Sequence, residues 1–244
     1  MNPDKIKKYE GNMDFMLAWK DFMLSNFRNM CIDTTVPWDF EYFFNKKHPV
    51  YNDIINYWFD DYEIIEEHSR FIVSKEFIHM IERCRKRFII SIIAIHNMSG
   101  ESHANGLIID NKLKKVYRFE PHGEYDIGVA SYDQNKRIDD DLRKFINYVM
   151  GDRYKFVPTL DYCPMLGPQA RECMSDYEIP NEFGGYCGAW SMMFLHEQIM
   201  NPHKSPKQIS DKLDKFSDIQ LAKRVRKYAQ FLVREVKNNP RFKL

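Results

Sequence analysis

The sequence lacks the long apolar runs and the excess of one charge that mark many membrane and nucleic-acid proteins. No apolar run approaches the roughly 20 residues of a membrane-spanning helix, and the first residues lack the apolar core of a signal peptide. The 36 Lys and Arg residues balance 35 Asp and Glu residues, which gives a formal net charge of +1. The composition therefore offers no bulk electrostatic attraction to a membrane or to nucleic acid.

Cysteine is also scarce, and its distribution argues against two kinds of stabilised scaffold. The five cysteines are odd in number, dispersed and never spaced as a CxxC pair: Cys31, Cys84, Cys163, Cys173 and Cys187. We therefore expect neither a disulfide framework nor a closed zinc site, and a reducing compartment is the natural setting. The sequence predicts no cofactor and no metal ion.

The first third of the chain carries aromatic and apolar residues at helical spacing. Hydrophobic residues make up 44% of the 244 residues, which is enough for a substantial core. The spacing predicts helices over 11–30, 51–62 and 73–87. We therefore expect a helical N-terminal region, 1–75, followed by a second domain, 76–244.

A change of hydrophobic period near residue 88 predicts strands. A continuous β-branched run over 88–95 is typical of a buried strand, and 107–110 and 116–120 predict two more strands after short turns. In an antiparallel meander of this kind, the start of one strand lies beside the end of its partner. His103, before the second strand, and Glu120, at the end of the third, are then expected to be neighbours.

Such a pair has a recognised use in catalysis, but it also has a simpler interpretation. A carboxylate beside an imidazole fixes the tautomer of the ring and stabilises the imidazolium that a general base forms. In the alternative interpretation, His103 and Glu120 are two solvated residues at strand ends.

The stretch around Cys187 is the strongest candidate for reactive chemistry. Gly184-Gly185-Tyr186 precede this cysteine, and Gly188-Ala189-Trp190 lead into an apolar segment of helical character. Glycine permits a sharp bend before a helix, and a cysteine in the first helical turn lies at the positive end of the helix dipole, which favours the thiolate. The alternative is a buried structural cysteine, a common environment for a free thiol.

One further polar residue stands in a loop rich in turn residues, 161–169. Gln169 follows a Gly-Pro pair there, and its side-chain amide could donate a hydrogen bond to an oxyanion. A glutamine in a loop, taken alone, is usually exposed to solvent.

Taken together in this order, the motifs resemble a clan of cysteine proteases. His103, Phe119-Glu120-Pro121-His122-Gly123, Gln169 and Tyr186-Cys187-Gly188 are similar to motifs of the adenovirus maturation protease and the ubiquitin-like-protein (SUMO) proteases, including members encoded by large DNA viruses. The resemblance covers about residues 88–202. It implies an α+β fold of the circularly rearranged papain-like kind, with a small, mostly antiparallel sheet flanked by helices and, here, a helical N-terminal extension.

The resemblance also implies a role for each motif residue. Cys187 would be the nucleophile, His103 its base, Glu120 the group that orients His103, and Gln169 a donor to the oxyanion. Two features depart from the family pattern: Ala104 follows the histidine where the family usually has tryptophan, and Gln169 lies 18 residues before the cysteine rather than a few. Asn105 and Asp110 are alternative orienting groups, although neither stands in an F-E-P-x-G setting.

The function that follows is hydrolysis of peptide or isopeptide bonds after Gly-Gly, in viral precursor proteins or ubiquitin-like conjugates. Gly185, Tyr186 and Trp190 would line the slot for the two glycines, and the protein would act in the host cytoplasm or the virion on a protein partner. One alternative is a catalytically inactive binding module for a ubiquitin-like or viral protein. Another is a nucleic-acid-associated structural protein, suggested by basic clusters at 83–87 and 223–227 but opposed by the near-zero net charge.

Overall fold

A computed structural model describes most of the chain, and it contains one mixed sheet with helices on both faces. The described residues are 9–44, 51, 62–64, 71–96, 102–123, 131–174 and 186–242, without side chains at 62–64. These elements confirm the predicted α+β class.

Seven α-helices lie in the described part of the chain. They are α1 (Met13–Asn26), α2 (Lys75–Arg83), α3 (Tyr132–Met150), α4 (Pro168–Cys173), α5 (Cys187–Met200), α6 (Pro206–Asp214) and α7 (Asp218–Asn238). Serine caps four of them, because the side chains of Ser74, Ser131, Ser205 and Ser217 each accept a hydrogen bond from a free backbone N–H of the first turn. Within the described residues, no helix is both long and apolar enough to cross a membrane.

Eight strands form the sheet within the described ranges of the chain. They are β1 (Met30–Cys31), β2 (Phe40–Phe43), β3 (Tyr62–Ile64), β4 (Phe71–Ser74), β5 (Phe88–His96), β6 (Ser102–Asp110), β7 (Lys115–Phe119) and β8 (Lys155–Val157). The order across the sheet is β3-β4-β2-β5-β6-β7-β8, and β1 pairs in parallel with the start of β5. The long apolar run of β5 is explained by its position, since this central strand is buried along its whole length.

The predicted meander of β5, β6 and β7 is confirmed, and its register positions the two candidate polar residues. Ile95 of β5 faces His103 of β6, and Gly106 of β6 faces Phe119 of β7. Glu120 therefore follows directly after the last paired residue of β7. His103 and Glu120 therefore lie at the same end of the sheet, where β6 begins and β7 ends, as the antiparallel pairing predicts.

The N-terminal region differs from the helical prediction for residues 1–75. Helix α1 confirms the first predicted helix, but the predicted helix over 51–62 lies almost entirely outside the described residues. The helix predicted over 73–87 is shorter, since α2 is preceded by strand β4. Strand β2 pairs with both β4 and β5, so the sheet extends across residue 75. Short strands buried on both faces carry no alternation, and their long-range pairing leaves no local pattern to read.

Local signals set the boundaries of the later elements. Helix α3 begins at Tyr132, where the Ser131 side chain provides a cap. Strand β8 ends at Val157, because the chain turns into a short 3-10 helix, Thr159–Asp161. The end of the predicted loop at 161–169 already belongs to α4.

Two cores lie on opposite faces of the sheet. Alternate residues of β5 point to opposite sides, so Ile90 and Ile92 pack with α1, α5 and α7, whereas Ile89 and Ile93 pack with α2 and α3. Helix α5 is almost completely buried, and Phe194 stacks on Phe119 of β7 at 3.8 Å between ring centroids. Because each fully buried side chain of this size contributes about 1.5–3 kcal/mol, α5 is held firmly against the sheet.

One disulfide departs from the expectation drawn from the cysteine pattern. Cys31 and Cys84 are bonded, with their Cα atoms 6.4 Å apart, and Cys163, Cys173 and Cys187 are free. Cys31 reaches its partner because β1 pairs in parallel with β5, which begins just after the C-terminal cap of α2 at Cys84. Residues 53 positions apart in the sequence meet only through this tertiary pairing.

The disulfide gives a first testable prediction. Because the bond closes a loop of 53 residues, its removal in the C31S/C84S variant should lower the free energy of unfolding by about 2–4 kcal/mol. Urea denaturation measures this change, and fully reduced wild-type protein serves as the matched comparison. Thiol titration in denaturant should find three reactive cysteines in the oxidised protein. Five reactive thiols, or equal unfolding midpoints, would contradict the prediction.

Candidate active site

Helix α5 places Cys187 at the end of the sheet where His103 and Glu120 lie. Cys187 is the first residue of the helix and is partly exposed. The helix sits close to β6: the Ser191 hydroxyl donates to the Ala104 carbonyl at 3.0 Å, and a Cβ on Gly106 would lie only 3.2 Å from Leu195. The missing side chain at Gly106 therefore allows the close approach that brings the first turn of α5 to the start of β6.

His103 lies between the candidate acid and the candidate nucleophile. Its side chain is buried, and Nε2 is 2.6 Å from Oε1 of Glu120. The ring also lies near Cys187, and its charge and a hydrogen bond from it lower the pKa of this thiol. Since Nε2 is engaged with Glu120, Nδ1 is the ring nitrogen left for the sulfur. The structure thus brings three of the predicted residues together.

The carboxylate of Glu120 is held by more than the histidine. Asn105 donates to Oε2 at 3.0 Å, and the backbone N–H of His122 donates to Oε1 at 2.9 Å. The buried guanidinium of Arg118 lies 3.6 Å from Oε2 and also bonds Asn105. Asn105 therefore supports Glu120 rather than replacing it. Asp110, the other alternative, pairs with Arg87 at the far end of β6.

Burial and charge set the protonation states of the three groups. Burial alone would lower the pKa of His103, but the charge of Glu120 and that of Cys187 raise it to about 10. Burial would raise the pKa of Glu120, but His103 lowers it to about 2. Burial also opposes ionisation of Cys187, yet the charge of His103 and hydrogen bonds from its ring and from nearby backbone lower the pKa of this thiol. These shifts all favour the ion pair of thiolate and imidazolium over the neutral thiol and imidazole.

His122, the variable residue of the F-E-P-x-G motif, stacks on His103. The two rings are nearly parallel, with centroids 4.6 Å apart, and burial together with the charge of His103 lowers the pKa of His122 to about 4. The possible ligand atoms of His103, Glu120 and His122 all lie within 4.8 Å of one another, the one such group in the described part of the chain. His103 and Glu120 are already hydrogen bonded, so the arrangement is that of an acid–imidazole pair.

The segment carrying Gln169 packs directly on the acid motif. Gly123 has a φ of 84°, and a Cβ there would lie 2.3 Å from the backbone nitrogen of Gly167. This explains why the motif ends in glycine. The backbone N–H of Gln169 donates to the Pro121 carbonyl at 3.0 Å, and its side chain is buried rather than solvent-facing. Its Oε1 has no hydrogen-bond partner among the described residues, and the predicted role at the oxyanion stays a prediction.

The three residues predicted to line the substrate slot differ in their position and burial. Tyr186 is the N-terminal cap residue of α5, partly buried next to Cys187, whereas Gly185 lies outside the described residues. The prediction that Trp190 lines the slot is wrong, because its ring is completely buried and its indole N–H donates to Glu172 at 2.7 Å. Its position one turn into α5 points the ring into the core, so it cannot line a slot here.

The sequence did not indicate Arg118, which lies beside Glu120, or Tyr9, which lies beside the first turn of α5. Tyr9 is the less expected of the two. Its ring stacks on Tyr186 with centroids 5.7 Å apart, and its hydroxyl is buried against the first turn of α5. Nothing in the sequence indicates this placement, because Tyr9 precedes α1 and lies 178 residues before Cys187. The signal is purely tertiary.

Comparisons with known proteins agree with this geometry at the level of the fold. No protein-family model matches the chain, and no curated protein matches its sequence. The Chlamydia trachomatis effector protein Cdu1, in a structure bound to ubiquitin, matches with a TM-score of 0.51 and 12% identity over 94% of each chain. ChlaDub1 from Chlamydia trachomatis matches with a TM-score of 0.49 and 13% identity, over 97% of this chain and 96% of that one.

A third solved structure is the C-terminal protease domain of Ulp1 in complex with Smt3, the yeast ortholog of SUMO. It matches with a TM-score of 0.42 and 13% identity, over 93% of this chain and 78% of that one. The match to Cdu1 confirms the fold that the sequence motifs implied.

The lowered pKa of Cys187 predicts its reactivity. Cys187 should be alkylated by iodoacetamide faster than Cys163, whose pKa is raised by burial to about 12, and faster than Cys173, whose pKa is also raised by burial. In H103A the charge that lowers the pKa of Cys187 is removed, so burial should raise that pKa. The alkylation rate of Cys187 at neutral pH should then fall by at least about tenfold, and its pH profile should move to higher pH. Mass spectrometry of labelled peptides between pH 5 and 10 measures both. Equal rates at Cys187 and Cys173 would contradict this.

The charge of Glu120 predicts the behaviour of its isosteric variant. E120Q should lower the pKa of His103 from about 10 toward the ordinary value, as measured by NMR titration of the ring. The raised pKa of His103 contributes stability that is fully present below about pH 6.5 and is lost as the pH rises toward 10. The lowered pKa of Glu120 contributes stability that is fully present above about pH 4.5 and is lost as the pH falls toward 2. The stability advantage of wild type should therefore be largest between these values.

The matched control is D110N, which removes a carboxylate from the opposite end of β6 and should leave the pKa of His103 unchanged. An unchanged pKa in E120Q would instead show that Glu120 does not stabilise the imidazolium.

Proposed function

We propose that this protein is a cysteine protease that hydrolyses peptide or isopeptide bonds of ubiquitin-like protein conjugates. The observation that carries the proposal is the placement of His103 between the Glu120 carboxylate and the Cys187 thiol, at the first turn of a helix. A structural cysteine needs no imidazole and no buried carboxylate behind it. Burying a carboxylate, an imidazolium and a thiolate together is costly unless the opposite charges are paired with one another.

The first half of the reaction is acyl transfer to Cys187. The thiolate sulfur forms a bond to the substrate carbonyl carbon, and the π electrons of the carbonyl move to its oxygen. Backbone N–H groups at the start of α5, which have no partner within the helix, donate hydrogen bonds to this oxyanion and stabilise it. When the tetrahedral intermediate collapses, the C–N bond breaks and the imidazolium of His103 gives its proton to the leaving amine.

The second half regenerates the thiolate. His103, now neutral, accepts a proton from water as the water oxygen attacks the thioester carbon. The C–S bond then breaks, the carboxylic acid leaves and loses its proton at neutral pH, and the thiolate–imidazolium pair is restored. Glu120 remains a carboxylate throughout; it orients the ring and stabilises its charge in both steps.

A ubiquitin-like substrate with a Gly-Gly terminus is the proposed substrate class. The fold similarity to Cdu1, whose structure contains ubiquitin, supports it. Tyr186, partly exposed beside Cys187, is the described residue that would contact the two glycines, and Gly185 is proposed with it. Cleavage of viral precursors, in the host cytoplasm or virion, rests on the sequence resemblance alone and is the narrower proposal.

Activity probes test the proposal directly. Wild-type protein should form a covalent adduct with ubiquitin or with SUMO carrying a C-terminal electrophile, and the adduct should survive denaturation because it is a bond to Cys187. C187A should form none, and C173A, which removes a thiol outside the site, should react at the wild-type rate. A panel with a short Gly-Gly peptide amide should separate substrate classes.

The outcomes divide the alternatives. Cleavage of the peptide alone would favour an extended viral precursor over a folded ubiquitin-like domain. Failure of correctly folded wild-type protein with every probe and peptide would overturn the protease proposal. Tight, non-covalent retention of ubiquitin or SUMO in that case would establish the binding module instead.

A further inference from the structure

Tyr9 is fixed at the nucleophile by contacts on both sides of its ring. One face stacks on Tyr186, the residue before Cys187, with an angle of 17° between the planes. Phe15 of α1 makes an edge contact, with centroids 4.9 Å apart. Aromatic contacts of this kind stabilise the ring beyond the effect of burial alone. The ring is therefore held by the N-terminal helix on one side and by the cysteine segment on the other.

The missing side chain of Gly188 leaves room for the hydroxyl. A Cβ at this position would lie 2.8 Å from the Tyr9 oxygen and 2.6 Å from the terminal methyl of Met16. The hydroxyl thus lies against the first turn of α5, one residue from the nucleophile. Any larger residue at 188 would displace it.

The hydroxyl is buried and finds no acceptor for its proton in the described part of the chain, although the backbone N–H of Ala189 approaches its oxygen. Leaving a buried donor without an acceptor destabilises a protein, and such donors are unusual in folded structures. The surroundings also keep the proton on the oxygen, because burial and the nearby charge of Cys187 hold the pKa of Tyr9 well above its ordinary value. Tyr9 is therefore a permanent donor without an acceptor.

The acceptor would arrive with the substrate. When Cys187 attacks a carbonyl group, the oxygen becomes negative beside the first turn of α5, which is where the hydroxyl lies. We propose that Tyr9 is a catalytic residue whose hydroxyl donates a hydrogen bond to this oxyanion, a role that rests on the proposed protease function. No proton is transferred: Tyr9 remains a phenol while the oxyanion forms and collapses.

The variant Y9F tests this role because it removes only the hydroxyl. The turnover number for a fluorogenic Gly-Gly peptide amide should fall by about tenfold or more, with KM little changed, as for loss of an oxyanion donor. The thermal midpoint should stay equal or rise, because a buried unpaired hydroxyl has been removed. A purely structural contact would not lower turnover while leaving stability intact.

Y154F is the matched control. The Tyr154 hydroxyl is hydrogen bonded to Asn111 and Lys114 and belongs to the core on the opposite face of the sheet, so its removal should leave turnover unchanged. A second measurement uses a Gly-Gly peptide aldehyde, whose adduct with the thiol carries an oxygen like the oxyanion. Y9F should bind this aldehyde about tenfold more weakly than wild type, by the same loss of one donor.

Three results would overturn the role of Tyr9. Equal turnover and aldehyde affinity in Y9F and wild type would show that the hydroxyl is not a donor. Faster turnover in Y9F would show that the hydroxyl obstructs the site. Wild-type protein that cuts no substrate would overturn the proposed function itself and this role with it, whereas active wild type with an unchanged Y9F overturns the role of Tyr9 alone.

Discussion

The buried carboxylate of Glu120 is the group on which the site depends. A charge removed from water is tolerated only when its partners satisfy it, and here they come from different parts of the chain: His103 and Asn105 from β6, and Arg118 from β7. Arg118 in turn bonds Asp139 of α3 at 2.7 Å, which links the edge of the sheet to the helix behind it. The same network that orients the imidazole therefore also joins β6, β7 and α3.

The nucleophile depends on a second constraint, the distance between α5 and β6. The helix supplies backbone N–H groups and a dipole that favour a thiolate, but only its contact with the sheet brings that thiolate to His103. The contact is close because Gly106 has no side chain and Ser191 bonds the backbone of β6. The chemistry of the cysteine thus follows from helix–sheet packing.

The N-terminal third of the chain belongs to the same structure as the site. Its strands β2 and β4 extend the sheet from β5, the disulfide ties β1 to the end of α2, and Trp19 is fully buried in the core with α5. Aromatic residues of this region therefore belong in part to the core. Tyr9, which precedes α1, lies instead beside Tyr186 and Gly188 at the site.

Hydrophobic period and glycine-flanked motifs are local signals, and they were enough to predict the meander, the helix after Cys187 and the candidates His103, Glu120 and Cys187. Tertiary packing alone sets the short N-terminal strands, the Cys31–Cys84 bond, the burial of Trp190 and the position of Tyr9 beside the nucleophile. Each of these depends on contacts between residues far apart in the chain, and such contacts leave no periodic trace. The support of Glu120 by Asn105 and Arg118 belongs to the same class, since it follows from strand register and not from either residue alone.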